Sequence, residues 1–96
     1  MLRQAWDIIA DQPATEVVLR FVPEVAGRVA ETVWHPTQRH ELQRDGTLLW
    51  RATVSGTIEI RLWVLSWGDE VEVLEPASLR DDVRETHRRA AERGGG

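Results

Sequence analysis

The fold of this chain is decided by residues 44–55, which read RDGTLLWRATVS. From position 48 onward every second residue is apolar, and the series is Leu48, Trp50, Ala52 and Val54. An apolar period of two predicts a β-strand with one buried face, so we expect Trp50 to lie in the core. The Asp45-Gly46 pair directly before this strand favours a tight turn. Residues 37–44 and 47–55 are therefore predicted to form a β-hairpin.

The segments that flank this hairpin alternate between strand and helix patterns. Runs rich in β-branched residues predict strands, and apolar residues spaced three and four apart predict helices. Proline, glycine and a capping box from Ser78 to Asp81 mark the boundaries. The predicted elements are a leading helix at 2–10, a strand at 15–22, a helix from 23 to before Pro36, a helix at about 57–67, a strand at 71–74 and a last helix from 78.

After the leading helix this order is β-α-β-β-α-β, with one helix appended. It predicts an α+β protein with the ferredoxin-like, split β-α-β arrangement: a four-stranded antiparallel sheet with both helices on one face. We place the domain at residues 15–92, preceded by the leading helix and linker at 1–14 and followed by a flexible tail at 93–96. The second face of such a sheet is uncovered, and the fold alone does not determine what covers it.

The composition is that of one globular domain. The chain has 96 residues, of which 42% are hydrophobic and 29% charged, and it is too short for two separate cores. The absence of cysteine excludes disulfide scaffolds, thiolate zinc sites and thiol nucleophiles. No apolar run approaches the ~18 residues of a membrane helix, and the first residues lack a signal-peptide pattern. We therefore expect a cytoplasmic protein.

The polar residues do not predict a catalytic site, a metal site or a cofactor. The histidines are His35, His40 and His87. The odd separation of the first two would place them on opposite faces of one strand, so we interpret them as capping or core-edge residues. Ser55 lacks the glycine-flanked turn of a hydrolase nucleophile. The adjacent acids Asp81 and Asp82 fall in the first turn of a helix, where they complement the helix dipole.

The uncovered face of the predicted sheet is the first candidate site. Arg20 and Arg51 fall on the same face of neighbouring strands, and with Arg39 or Glu41 from the strand beside them they would form a mixed polar surface. This face is either an ordinary solvated surface or a surface for a phosphate-bearing ligand, a nucleic-acid strand or a partner domain. Its candidate residues are Val18, Arg20, Arg39, Leu49, Arg51 and Thr53.

The helix predicted at 57–67 is the second candidate site, because it is apolar almost all round. One stripe holds Ile60, Trp63, Val64 and Trp67, and a second holds Ile58, Leu62 and Leu65. A single sheet face can bury only one stripe. The second stripe is covered either by the leading and last helices or by another chain. We expect a homodimer that uses this second stripe or the uncovered sheet face.

Several segments, in order, are similar to the C-terminal extension of WYL-domain transcriptional regulators, called the WCX domain. The matching segments are VVLRFVPEVA at 17–26, WHPTQ at 34–38, DG at 45–46, WVLSWG at 63–68, VEVLEP at 71–76 and LR at 79–80. The resemblance implies a ferredoxin-like module of bacterial regulators that also carry a helix-turn-helix domain, which binds DNA, and a WYL core, which senses a ligand. In that family the extension is associated with dimerisation and with the response to effectors, which can include nucleic acid.

The resemblance therefore implies a non-catalytic dimerisation and effector-response module, with a small-ligand or nucleotide-binding regulatory domain as the alternative. The helix at 2–10 would correspond to the segment leaving the WYL core, so the chain is interpreted as a fragment that lacks the core and the helix-turn-helix. The family's ligand residues lie mostly in that core and transfer to no position here. The formal net charge of -4 and the absence of lysine argue against tight DNA binding by this module alone.

Overall fold

The computed structural model describes residues 14–94 and has an α+β fold with a four-stranded antiparallel sheet, as predicted. The predicted leading helix at 2–10 lies outside the described residues. The elements are β1 (Ala14–Phe21), α1 (Pro23–Ala30), β2 (Arg39–Leu42), β3 (Leu48–Ser55), α2 (Ile58–Ser66), a 3-10 turn (Gly68–Glu70), β4 (Val71–Glu75) and α3 (Ala77–Gly94). The strands lie in the order β2-β3-β1-β4.

The two central strands set the core. β1 and β3 pair antiparallel along their whole length, from Ala14 opposite Ser55 to Phe21 opposite Leu48. Because the side chains alternate, one face of this pair carries a continuous apolar layer. That layer and all three helices contribute to a single core, whose residues are Val17, Leu19, Phe21, Val25, Ala26, Val29, Leu48, Trp50, Ala52, Val54, Ile60, Val64, Val73, Leu79 and Val83.

Tryptophans fill one region of this core. Trp50 has no exposed surface, which confirms its predicted burial, and its ring centroid lies 5.0 Å from that of Trp63. Trp63 and Trp67 are partly buried against the core, and their rings meet edge to face at 6.1 Å. Trp34 joins them, with its centroid 5.2 Å from that of Trp63, and its indole N–H donates to the Val29 carbonyl. The second helix therefore presents the predicted Ile60, Trp63, Val64 and Trp67 stripe to the core.

The turn of the hairpin forms as the Asp45-Gly46 pair predicts. Gly46 has a φ of 91°, a conformation that favours glycine. Both the backbone N–H and the hydroxyl of Thr47 donate to Asp45 Oδ1, at 3.0 and 2.6 Å. The hydroxyl hydrogen bond holds the pKa of the Asp45 carboxyl below its usual range. A β-carbon at Gly46 would lie 3.2 Å from Cγ of Pro23, so this turn also packs closely against the start of α1.

The first helix is shorter than predicted, because the backbone that follows it is hydrogen bonded to a side chain and not to the preceding helical turn. α1 stops at Ala30 and not just before Pro36. Beyond it, Gln38 Oε1 accepts the backbone N–H groups of Trp34 and His35, at 2.6 and 3.1 Å. The amide nitrogen of Gln38 donates to the Thr32 carbonyl. One glutamine therefore organises a compact turn that the helical pattern did not predict.

The last helix begins earlier than predicted. The predicted capping box is wrong, because the Pro76 carbonyl already accepts the Arg80 N–H and the helix begins at Ala77, before Ser78. The helix ends at Gly94. Ion pairs between residues one turn apart stabilise this end. Glu85 accepts hydrogen bonds from Arg88, which has the larger effect, and from Arg89, and these bonds lower the pKa of Glu85 to about 2.

The burial of Trp50 gives a direct test of the strand register. Replacing it with alanine removes the largest fully buried side chain of the core. We expect Trp50→Ala to lower the free energy of unfolding by about 3–5 kcal/mol. Urea denaturation followed by circular dichroism measures this change. An unchanged urea midpoint would contradict the placement of Trp50 on the core face of β3.

Two glycines give a matched pair of tests for the hairpin turn. At Gly46 the positive φ and the contact with Pro23 both oppose a side chain, so Gly46→Ala should destabilise the fold by about 1–3 kcal/mol. Gly27 lies inside α1 with open space around it, so Gly27→Ala should stabilise the fold by about 0.5–1 kcal/mol. Thermal unfolding of both variants measures the difference. Equal effects of the two substitutions would contradict the role assigned to the turn.

Candidate functional site

The candidate site lies on the sheet face opposite the core, which we call the open face. Residues of all four strands alternate onto it, and the register sets them in rows across the sheet. One row runs Arg39, Arg51, Val18 and Glu75, and the next runs Glu41, Leu49, Arg20 and Glu72. Thr53 lies opposite Glu16 in a third row. The structure therefore brings all six sequence-predicted residues of this face together.

The arginine on the first strand is already paired. Arg20 Nη2 lies 2.5 Å from Glu72 Oε1 on β4. The hydrogen bond to Glu72, and then the charge of that carboxylate, raise the pKa of Arg20. Both side chains are about half exposed, so solvent screens the pair and it adds little to stability. Its main effect is to neutralise the cationic group nearest β4.

The two other arginines meet across the β2–β3 pair. Arg39 and Arg51 are directly opposed, an arrangement in which like charges repel. Arg39 is 3.4 Å from Glu16, whereas Arg51 has no carboxylate within ion-pair distance among residues 14–94. Together with His40, Glu41 and Leu49 they line a shallow depression of about 310 Å³. This end of the open face is thus the place where an anionic group would be stabilised by two guanidinium groups.

The uncharged residues of the open face differ in exposure. Val18 is only 9% exposed. Leu49 is partly buried in the depression beside Arg51. Thr53 is exposed, and its backbone is tied to the turn before β2, because its N–H donates to Thr37 Oγ1 and its carbonyl accepts the Thr37 hydroxyl. The accessible chemistry of the open face is therefore that of its charges and of Thr53.

The residues of the second candidate site, on α2, differ in exposure. Ile58 and Leu62 are 58% and 62% exposed, whereas Leu65 is partly buried against the core. The last helix lies beside α2 and is held there by Arg61, whose Nε is 2.6 Å from Asp82 Oδ2 and whose Nη2 donates to Thr86 at 2.9 Å. The last helix leaves Ile58 and Leu62 uncovered. The cover predicted from the leading helix at 2–10 lies outside the described residues.

The histidines occupy three unrelated places. His35 is buried, with Nδ1 2.9 Å from Thr37 Oγ1, which agrees with its interpretation as a core-edge residue. His40 is exposed on β2, and His87 lines a groove between α3 and β4. Within residues 14–94 no three side chains of the metal-binding types are grouped closely enough to hold an ion. Of the adjacent acids, Asp82 binds Arg61 and Asp81 lies 3.2 Å from Arg80.

Sequence reasoning predicted a mixed polar face but missed two of its carboxylates. It selected the arginines but not Glu16 and Glu72, which bind two of them. The alternation of β1 and β4 could have placed both carboxylates on this face, but only the strand order and register show which arginine each one meets. The open face is consequently a mixed surface with one cationic end near β2.

Residues 13–91 match the family model of the WCX domain. This match covers most of the chain. The chain belongs to the WCX domain family. The resemblance to the WCX domain that the ordered segments between 17 and 80 carry is thereby confirmed. A comparison with curated proteins gives no match. Among residues 14–94, no helix combines the length and the apolar character needed to cross a membrane.

The charges of the open face predict weak binding of nucleic acid by this WCX domain alone. The net charge is -4, and carboxylates stand beside two of the three arginines. Fluorescence anisotropy with a labelled single-stranded oligonucleotide, at low and high salt, should show only weak binding. Tight, salt-sensitive binding that is lost in Arg51→Ala would contradict this expectation and place Arg20, Arg39 and Arg51 first among the candidate phosphate contacts.

Proposed function

We propose that this WCX domain is a non-catalytic dimerisation and effector-response module of a bacterial WYL-family transcriptional regulator. The observation that carries the proposal is the family match over residues 13–91. In such a regulator it works beside a WYL core and a helix-turn-helix domain, in the cytoplasm, and DNA is bound by the helix-turn-helix. The ferredoxin-like arrangement belongs to the same proposal, and the strand order β2-β3-β1-β4 supports it.

The effector-response role is supported by the distribution of charge on the open face. Arg20 and Glu72 neutralise one another near β4 and Arg39 lies 3.4 Å from Glu16, so Arg51 is the arginine of this face that has no carboxylate at ion-pair distance among residues 14–94. A surface divided in this way can contact an anionic effector at one end and a neighbouring domain at the other. In this proposal the domain carries out no reaction and requires no metal or cofactor.

The dimerisation role is supported by surfaces that residues 14–94 leave uncovered. Ile58 and Leu62 are exposed on α2, and the open face has no element packed on it among residues 14–94. Uncovered surfaces of this kind often mark contacts between protein chains. Symmetric pairing with a second copy is the commonest way in which a soluble protein covers them.

A small-ligand or nucleotide-binding regulatory domain is the second candidate. The depression of about 310 Å³ between β2 and β3 favours it, because two guanidinium groups line a concave site of modest size. A diphosphate group is the ligand chemistry that two neighbouring arginines fit best. Under this alternative, inorganic diphosphate or ATP should raise the melting temperature of the chain but not that of Arg51→Ala.

The regulatory function is tested in the bacterium that encodes the chain. We expect Arg51→Glu, which reverses the charge of the cationic end, to change transcript levels of the same genes as deletion of the whole coding region. RNA sequencing of both strains measures this overlap, and Arg28→Glu, on the exposed side of α1, is the matched control. Unchanged transcripts in the deletion strain would contradict the regulatory role. Unchanged transcripts in Arg51→Glu alone would show that the open face is not where the effector acts.

A further inference from the structure

Among residues 14–94, the outer edge of β2 is an open strand edge. Within this part of the chain β2 pairs only with β3, and all four of its residues, Arg39–Leu42, are exposed. Leu42 is an exposed apolar side chain, with 67% of its surface accessible. The backbone N–H and C=O groups that point away from β3 are therefore available to another strand. At the opposite end of the sheet, α3 packs against β4.

Face alternation limits how β2 can pair with a second copy of itself. In the sheet, Arg39 and Glu41 point to the open face, while His40 and Leu42 point to the other side. Directly opposed residues of antiparallel strands lie on the same face. The two-fold axis of a symmetric β2–β2 pair must therefore pass between two copies of the same residue. An axis at a point between two neighbouring residues would oppose side chains that belong to different faces of the sheet.

Charge selects one of the allowed centres. Centring on Arg39 places two arginines against each other, and centring on Glu41 does the same with two glutamates. A centre at Leu42 would pair most of β2 with the hairpin turn. Of the centres at Arg39, His40 and Glu41, only His40 opposes unlike charges, since Arg39 of each copy then faces Glu41 of the other. The short strand Arg39–Leu42 is thus self-complementary in a single register.

The geometry points to a homodimer in which the β2 edges of two copies pair antiparallel about a two-fold axis at His40. Two Arg39–Glu41 contacts form between the copies on the open face, and the two sheets join into one sheet of eight strands. This inference deepens the dimerisation part of the proposed function and rests on it. It also extends the open face across the axis, so that the cationic ends of both copies adjoin.

Charge reversal tests the register. Pairing of two short edges gives a small interface, so the wild-type chain should be examined by sedimentation equilibrium over about 1 to 500 μM protein. Glu41→Arg alone and Arg39→Glu alone each replace both unlike pairs with like pairs, and should raise the dissociation constant by about tenfold or more. The double variant Arg39→Glu with Glu41→Arg restores unlike pairs and should regain the wild-type constant. Mixing the two single variants should give a heterodimer for the same reason.

Matched controls separate this edge from other surfaces. Glu31→Arg makes the same charge change at the exposed end of α1, and Glu16→Gln removes the Arg39 partner within the chain. Both should dimerise as the wild type does. Leu62→Asp alters the exposed stripe of α2 and should also leave the dimer intact. Circular dichroism of each variant verifies that it is folded.

A cross-link locates the axis independently. The chain contains no cysteine, so a single introduced thiol has no competitor. In the proposed dimer the two residues at position 40 are directly opposed, with Cα atoms about 4.5–5.5 Å apart, within the range of a disulfide. His40→Cys should form a covalent dimer on mild oxidation, and Glu31→Cys, exposed at the end of α1, should not.

The outcomes distinguish this inference from the regulatory function. A monomer at every concentration would overturn the dimer and its register together, whereas the transcript experiment would still report on regulation. A dimer that both charge reversals leave unchanged, or that only Leu62→Asp dissociates, would overturn the β2 register alone. Failure of His40→Cys to cross-link a wild-type-like dimer would also overturn it. Loss of the dimer in Arg39→Glu and in Glu41→Arg, with recovery of the dimer in the double variant, would establish the pairing.

Discussion

The structure depends on the pairing of β1 with β3. These two strands are central in the sheet, and their register places Leu19 opposite Trp50 and Val17 opposite Ala52 on the core side. A slip of one residue would exchange the two faces of β3, and the apolar layer would lose its contact with the helices. Within residues 14–94, α1, α2 and α3 all pack on that layer or on side chains adjoining it. The same register also decides which charges meet on the open face, so core and candidate site share one determinant.

Much of the fold could be predicted because its patterns are local. The period of two in β3 and the Asp45-Gly46 turn identify the hairpin without knowledge of anything distant in the chain. The parts that could not be predicted depend on contacts between distant atoms or on individual side chains. The end of α1 depends on the Gln38 amide, and the register shift between Val18 and Leu19 on β1 depends on how β4 fits beside it. Neither leaves a periodic trace in the sequence.

The candidate site divides in the same way. Alternation along β1 and β3 was enough to place Arg20 and Arg51 on one face, since that requires only strand identity. Which arginine is neutralised is a question of strand order. Arg20 meets Glu72 because β4 lies beside β1, whereas Arg51 faces Arg39 because β2 lies beside β3. The cationic end of the open face therefore arises from topology, and composition alone, with its net negative charge, points away from it.

The contact between α2 and α3 has a consequence for how the last helix responds to its solvent. Its first turns are anchored by buried Leu79 and Val83, and on another side of the same turns Arg61 of α2 binds Asp82 and, one turn later, Thr86. Dispersed ions screen charges that lie partly in water over about 8 Å at physiological ionic strength, but they leave buried apolar contacts intact. A high salt concentration therefore weakens the contacts of Arg61 and leaves the burial of Leu79 and Val83 unchanged. The helix is held by two mechanisms of different physical origin, and only one of them depends on the surrounding medium.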